Sequence, residues 1–223
     1  MKRLERLDEA AAPDGTVLTL CRRDGDYFIR AAGEMLMSTR RHHSEDRLAE
    51  VVCEPLRHVP AARVLIGGLG FGFTLRAAMS SLGDDAGILV VELVEAVIRW
   101  NRDRGYDLAC TALQDARVTL LHDDVARVLA ANRGAFDGIM LDIDNGAEAL
   151  TTAGNARLYR SAGIRTAVAA LRPGGRVAYW SSTIDERFAD ALRGAGLDVE
   201  AQSVRAHSTG GARYMLYVGR RTA

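Results

Sequence analysis

Residues Val64–Gly72 read VLIGGLGFG, and this stretch decides the fold class of the chain. The apolar residues at its start predict a buried strand, and glycines 68, 70 and 72 lead directly into a predicted helix, Thr74–Ser81. Glycine allows the backbone to approach a ligand closely, and the start of a helix attracts electron-rich groups. A strand that runs through glycines into a helix therefore predicts an α/β fold with a ligand-binding turn.

The same alternation of apolar strand and helix continues along the chain. We predict strands at Val64–Ile66, Ile88–Leu93, Val118–Leu121, Gly138–Ile143 and Val177–Trp180, and further helices at Val94–Arg104, Val125–Ala131, Ala156–Leu171 and Asp185–Gly194. Two last strands, Val199–Val204 and Tyr214–Val218, flank Gly210-Gly211 and are expected to pair antiparallel at the sheet edge. Buried strands separated by helices indicate a doubly wound, mostly parallel, seven-stranded Rossmann-like sheet.

The N-terminal part differs from the rest. Thr16–Cys21 and Tyr27–Ala31 read as short strands around an Asp24-Gly25 turn, and Glu34–Ser38 reads as a third strand. A helix is expected to begin at Ser44. We therefore divide the chain into a small N-terminal β-hairpin region, residues 1–42, and a larger domain, residues 43–223.

Composition narrows the function classes. Among 223 residues, Lys and Arg total 29 and Asp and Glu total 29, whereas nucleic-acid binders usually carry a basic excess, so we expect no nucleic-acid partner. No apolar run approaches the ~20 residues that span a bilayer, so no membrane contact is expected. Cys21, Cys53 and Cys110 lack zinc-ligand spacing, which predicts no metal site and suits reduced thiols in a cytoplasmic protein.

Acidic residues end the next two predicted strands. Glu92 lies 20 residues after Gly72, where a carboxylate is placed to accept hydrogen bonds from both ribose hydroxyls of a nucleoside. Asp123 and Asp124 follow the third strand. One of them is suited to cap the following helix, and the other is suited to bind the exocyclic amine of adenine. The sequence favours a structural role and a binding role equally.

The fourth strand of the main sheet ends in a polar cluster. The sequence FDGIMLDIDNG over Phe136–Gly146 places Asp142, Asp144 and Asn145 at the carboxyl end, where ligands of open α/β sheets bind. Strand alternation points the two aspartates to one side. Asp-Asn-Gly also suits a turn. We favour a site for a cationic or amine substrate, or a general base acting on one, with Trp180 at the end of the fifth strand lining it or packing in the core.

These residues resemble the spermidine synthase family of aminopropyltransferases, within the class I S-adenosylmethionine-dependent transferase fold. Leu171–Gly175 is generic to class I methyltransferases, whereas the hairpin-rich start and the Asp142 segment point to aminopropyl transfer. The resemblance covers nearly the whole chain, through the β-rich start, Val64–Gly72, Val91–Leu93, Asp124, Phe136–Gly146, Asn155–Tyr159 and Leu171–Gly175.

The resemblance implies roles for individual residues. Asp142 takes the place of the catalytic aspartate, which orients the attacking amine and helps to deprotonate it. The implied co-substrate is S-adenosylmethionine or its decarboxylated form, without a metal, and the implied assembly is a homodimer acting in polyamine biosynthesis. The co-substrate would be bound by Gly67, Gly68, Gly70, Gly72, Glu92, Asp123 and Asp124, and an amine or polyamine substrate by Asp144, Asn145, Tyr159 and Trp180.

Three departures from the family pattern keep other functions open. The family's Gly-Gly-Gly-Asp-Gly-Gly turn has no aspartate here, its Asp-x-x-Asp-Pro becomes Asp142–Asn145, and its Tyr-His-Glu is echoed by His42–Glu45. The alternatives are an S-adenosylmethionine-dependent small-molecule methyltransferase and a catalytically divergent nucleoside-binding homologue. An NAD-dependent dehydrogenase is a weaker alternative, because a glycine turn followed by Glu92 also suits dinucleotides.

Overall fold

The computed structural model describes residues 3–106, 108–143, 155–207 and 209–222. Its first four strands form an antiparallel sheet in chain order. Asp24 and Gly25 both have positive φ, 55° and 89°, which confirms the predicted hairpin turn. The first strand was not predicted, because its segment is charged and largely exposed. These strands are β1 (Glu5–Ala11), β2 (Val17–Arg23), β3 (Asp26–Ala31) and β4 (Glu34–Ser38).

Within the described ranges, seven further strands form the main sheet, in the order β7-β6-β5-β8-β9-β11-β10. The strands from β5 to β9 pair in parallel, whereas β11 pairs antiparallel with both β9 and β10. The predicted doubly wound sheet with an antiparallel C-terminal edge pair is therefore confirmed. The strands are β5 (Arg63–Gly67), β6 (Gly87–Glu92), β7 (Val118–His122), β8 (Phe136–Leu141), β9 (Leu171–Ser181), β10 (Leu197–His207) and β11 (Gly210–Arg221).

The residues that the structure describes also form six helices. They are α1 (His43–Cys53), α2 (Phe73–Ser81), α3 (Glu95–Arg102), α4 (Val125–Ala131), α5 (Ser161–Ala170) and α6 (Glu186–Gly194), with short 3₁₀ turns at Glu54–Leu56, Ala112–Gln114 and Asn155–Tyr159. The long helix predicted over Ala156–Leu171 is wrong in one respect, because it is divided into a 3₁₀ turn and α5. Arg160 between them is extended, and a Cβ at Gly163 would overlap the backbone of Leu158, so only glycine permits this close approach.

Two hydrophobic cores cover the two faces of the main sheet. Along β5 the side chains alternate, since Val64 and Ile66 enter one core and Leu65 enters the other. The first core also contains Leu18 and Ile29 of the N-terminal sheet, so that sheet packs on the main domain instead of standing apart. Among the described residues, no helix is long and apolar enough to cross a membrane.

Candidate functional site

The glycine turn between β5 and α2 has a backbone that only glycine adopts easily. Gly68, Gly70 and Gly72 have φ of 93°, 51° and 75°. A Cβ at Gly68 would overlap the carbonyl oxygen of Asp142, and a Cβ at Gly72 would lie 2.5 Å from that of Ala109. Gly67 ends β5, and its carbonyl accepts a hydrogen bond from the Asp142 amide at 3.0 Å. The glycine turn therefore packs directly against the backbone at the end of β8.

Glu92 is the last residue of β6 and is 7% exposed. One carboxylate oxygen accepts a hydrogen bond from the Leu69 amide and the other from the Val94 amide, each at 2.8 Å. The predicted ribose ligand therefore also ties the glycine turn to the segment that enters α3. Glu92 lies in the wall of the cleft beside Gly68 and Gly70.

The two aspartates after β7 have different surroundings. Asp124 caps α4, with Oδ1 accepting from the Ala126 amide at 2.8 Å, and its Oδ2 accepts from Arg157. Asp123 lines the cleft, and a hydrogen bond from Arg127 Nε at 2.7 Å lowers its pKa. The structure thus assigns the helix cap to Asp124, and the adenine contact of either residue stays a prediction.

A cleft lies at the carboxyl ends of β5, β6 and β8, the edge of an open α/β sheet at which ligands bind. The glycine turn, Glu92, Asp123 and Asp142 form its polar side. The sequence analysis missed its apolar side, to which the N-terminal sheet contributes Leu18, Ile29, Leu36 and Met37. A nucleoside has this combination of one polar edge and two apolar faces.

Asp142 lies directly after β8, and its Oδ2 accepts a hydrogen bond from the Thr74 hydroxyl at 3.0 Å. Thr74 is buried in the first turn of α2. The next predicted site residues, Asp144 and Asn145, lie outside the described residues. Asp142 lines both the cleft and a neighbouring cavity, so it stands where the two meet.

We call this neighbouring space the acidic cavity. It has two carboxylates and three aromatic rings in its wall. Trp180, predicted at the end of the fifth strand of the main sheet, is one of the rings. The lining residues are Leu36, Met37, Glu45, Leu69, Gly70, Phe71, Phe73, Asp142 and Trp180.

Glu45 is a site residue that the sequence analysis missed. It lies in the first turn of α1. An acidic residue is common there because it interacts favourably with the positive end of the helix dipole, so its position alone does not indicate a binding role. Burial, together with the nearby charge of Asp142, raises its pKa to about 8. Its signal in the sequence is its place in His42–Glu45, which echoes the family's Tyr-His-Glu, but no spacing pattern links it to Asp142.

No family model matches this sequence, and no curated protein matches it. Solved structures do match. The spermidine synthase of Thermotoga maritima is 14% identical, with a TM-score of 0.75 and coverage of 97% of this chain and 72% of that one. This chain has the spermidine synthase fold. A spermidine synthase in complex with the transition-state analogue AdoDATO matches at 14% identity, with the same coverage and a TM-score of 0.76.

Within this spermidine synthase fold, Tyr159 belongs to the second hydrophobic core and lines neither the cleft nor the acidic cavity. It is buried, its hydroxyl donates to the Trp180 carbonyl at 2.8 Å, and its ring meets that of Tyr179 edge-on at 5.5 Å. Its predicted contact with the substrate stays a prediction. In the part of the chain that the structure describes, no three His, Cys, Asp or Glu side chains gather as a metal site would require.

Proposed function

We propose that this protein is an aminopropyltransferase, which binds decarboxylated S-adenosylmethionine and transfers its aminopropyl group to an amine. The observation that carries this proposal is the position of Asp142, which lines both the cleft and the acidic cavity. In such a reaction the cleft would hold the nucleoside-linked donor and the acidic cavity would hold the cationic acceptor. The two spaces must then meet at a carboxylate that orients the acceptor toward the donor. The solved spermidine synthase complexed with AdoDATO supports the same assignment.

The residues of the cleft fit such a donor. Gly68 and Gly70 line the cleft, so a donor could approach their backbone directly. Glu92 would accept hydrogen bonds from the ribose, and Asp123 or Asp124 would contact the adenine edge. Gly67 and Gly72 would shape the turn from either side. The apolar side of the cleft, formed by the N-terminal sheet, would cover the base.

When bound, the donor supplies a carbon made electrophilic by its sulfonium group. Asp142 would orient the amine toward that carbon and accept the proton that the nitrogen loses. The hydrogen bond from Thr74 holds the Asp142 carboxylate in position for this role. With a good leaving group present, the protein contributes mainly positioning and complementary charge.

A calorimetric panel tests the proposal. The probes are methylthioadenosine, decarboxylated S-adenosylmethionine, S-adenosylmethionine, S-adenosylhomocysteine and NAD. Because Asp142 would repel a carboxylate, the decarboxylated donor should bind at least about tenfold more tightly than S-adenosylmethionine. Equal or tighter binding of S-adenosylmethionine would contradict the proposal and favour a methyltransferase, and binding of NAD alone would favour a dehydrogenase.

Asp142→Asn tests the catalytic role separately. The variant should lose aminopropyl transfer to an amine by about a hundredfold or more while binding methylthioadenosine as before. Unchanged turnover would remove Asp142 from the mechanism. A wild-type protein that binds methylthioadenosine without turning over either donor would instead be a divergent nucleoside-binding homologue. The polyamine acceptor, the homodimer and the cytoplasmic location belong to the same proposal.

A further inference from the structure

We propose that Arg41 binds a carboxylate at the far end of the acceptor, so that the protein takes an amine that carries a carboxylate on the same chain. The inference rests on the proposed function for the amine end, where Asp142 orients the nitrogen. It adds a recognition point at the other end of the acceptor and extends the acceptor class from polyamines to ω-amino acids. Arg41 is thereby a specificity-determining residue.

Arg41 lies at a further space, which we call the Arg41 cavity. Residues of β4, the start of α1, β9 and β11 line it, and its polar side chains are Ser38, Arg41, Ser44, Glu45, Trp180 and Tyr214. This cavity adjoins the acidic cavity, because four residues line both, namely Leu36, Met37, Glu45 and Trp180. Of these two spaces, Asp142 lines only the acidic cavity and Arg41 only the Arg41 cavity. A ligand that extends through both would meet a carboxylate at one end and a guanidinium at the other.

The positive charge of Arg41 is available to such a ligand. Arg41 is exposed, and among the described residues it forms no ion pair, whereas its neighbour Arg40 pairs with Asp26. Burial raises the pKa of Tyr214, and the charge of Arg41 opposes this rise. The guanidinium therefore acts within electrostatic reach of a phenol in the wall of the cavity.

Glu45 is the one carboxyl group among the described residues of this wall. It is hydrogen-bonded to the hydroxyl of Ser44, its neighbour in the chain. Burial, together with the nearby charge of Asp142, raises the pKa of Glu45 to about 8, so at pH 7 the group is mostly protonated. It therefore compensates little of the positive charge of Arg41, and a ligand carboxylate would meet a wall that is positive on balance.

The other polar groups of the wall independently suit a ligand that accepts hydrogen bonds. Trp180 is 9% exposed, and its indole N–H has no acceptor in the described part of the chain. A buried donor without a partner is costly, and an indole can only donate, so a ligand oxygen would satisfy it. The hydroxyls of Ser38 and Tyr214 can also donate. Helix α1 begins at this cavity without a side-chain cap, and the positive end of its dipole favours an anion.

A carboxylate fits Arg41 better than the second ammonium of a diamine does. The planar guanidinium can donate two parallel hydrogen bonds to the two oxygens of a carboxylate. The same charge would repel an ammonium that reached the Arg41 cavity. The two ends of the acceptor are thus distinguished by the sign of the charge that receives them.

The carboxylate takes no part in the proposed transfer. Asp142 takes a proton from the ammonium, and the freed lone pair forms the new nitrogen–carbon bond. The carbon–sulfur bond breaks with both of its electrons staying on sulfur, which becomes a neutral thioether. The nitrogen becomes a secondary ammonium, while the carboxylate stays bound to Arg41.

Calorimetry with a homologous series of ligands tests the inference. The probes are the ω-amino acids from 4-aminobutanoate to 8-aminooctanoate and, for each, the alkylamine of the same chain length without the carboxylate. The titrations use the full chain at pH 7 with saturating methylthioadenosine, so that the cleft is occupied. The wild type should bind at least one amino acid about tenfold or more tightly than its matched alkylamine.

Arg41→Gln should abolish this preference. It should weaken the binding of the preferred amino acid by about tenfold or more and leave the affinities for the alkylamine and for methylthioadenosine unchanged. Arg41→Lys keeps the charge and loses the planar fork, so it should retain part of the preference. Arg40→Gln is the matched control, because it changes the adjacent arginine, which does not line the cavity, and it should behave as the wild type.

The inference is overturned if no amino acid in the series binds more tightly than its alkylamine, or if Arg41→Gln keeps the preference. In either case, aminopropyl transfer from the decarboxylated donor to 1,4-diaminobutane would leave the proposed function standing. A preference that depends on Arg41 in a protein that transfers no aminopropyl group to any amine would support the carboxylate site and refute the proposed function.

Discussion

Glu45 links the stability of the protein to pH. Its pKa of about 8 in the folded state lies well above the 4.5 of a free glutamate. The folded state therefore binds the proton more tightly, so the stabilisation is complete below about pH 4.5 and is lost as pH rises through 8. Urea unfolding from pH 5.5 to 8.5 should show stability falling with pH in the wild type and a smaller fall in Glu45→Gln. Equal slopes in the two proteins would contradict the assignment.

Adding a single Cβ atom at Gly68 tests whether the glycine turn needs its close approach to Asp142. Gly15 has a similar φ, 86° against 93°, but an added Cβ there meets open space, whereas at Gly68 it would overlap the Asp142 carbonyl. Alanine at either site costs backbone strain of about 1–2 kcal/mol. Gly68→Ala should cost clearly more in chemical denaturation and should weaken methylthioadenosine binding about tenfold or more. Equal losses of stability in Gly68→Ala and Gly15→Ala would show that the close approach of Gly68 to the Asp142 carbonyl is unimportant.

At the scale of elements, Glu92 joins the glycine turn to β6 and the start of α3. A glutamine there turns one acceptor into a donor, which would face the amide of Leu69 or Val94. A buried amide left without a partner costs about 1–3 kcal/mol. Glu92→Gln should lose stability in this range and bind methylthioadenosine more weakly. Glu95→Gln, at an exposed position of α3, is the control and should change both by little.

The elements also show how far the sequence alone could lead. The strands from β5 to β9 were predictable because each contains a short apolar run, and β10 and β11 were predictable because two strand-like segments flank Gly210-Gly211. Glu92 and Asp142 were predictable for the same reason, since strand ends place them at one edge. β1 was not predictable, because its charged residues obscure the alternation of apolar and polar side chains that is typical of a strand. The places of Met37 in the cleft and of Glu45 in the acidic cavity were not predictable, because only tertiary packing brings β4 and α1 to these spaces.

At the scale of the whole molecule, the N-terminal sheet acts as one wall of the site. Its attachment includes Asp8 on β1, whose Oδ2 accepts from Trp100 Nε1 and from Arg99, each at 2.6 Å. These bonds, led by the one from Trp100, lower the pKa of Asp8, so the contact is favourable at neutral pH. Because Leu36 and Met37 of the same sheet line the cleft, loosening this attachment should loosen the site.

Asp8→Ala tests this coupling between the sheet and the cleft. It should reduce stability by about 1–2 kcal/mol, speed amide hydrogen exchange across β1–β4, and weaken methylthioadenosine binding. Glu9→Ala, which removes an exposed pair with Arg6, should leave all three unchanged. By linkage, methylthioadenosine should slow exchange in the N-terminal sheet of the wild type. If neither methylthioadenosine nor Asp8→Ala changes the exchange rates of β1–β4, the N-terminal sheet is not a wall of the binding site. Other residues must then form the apolar side of the cleft.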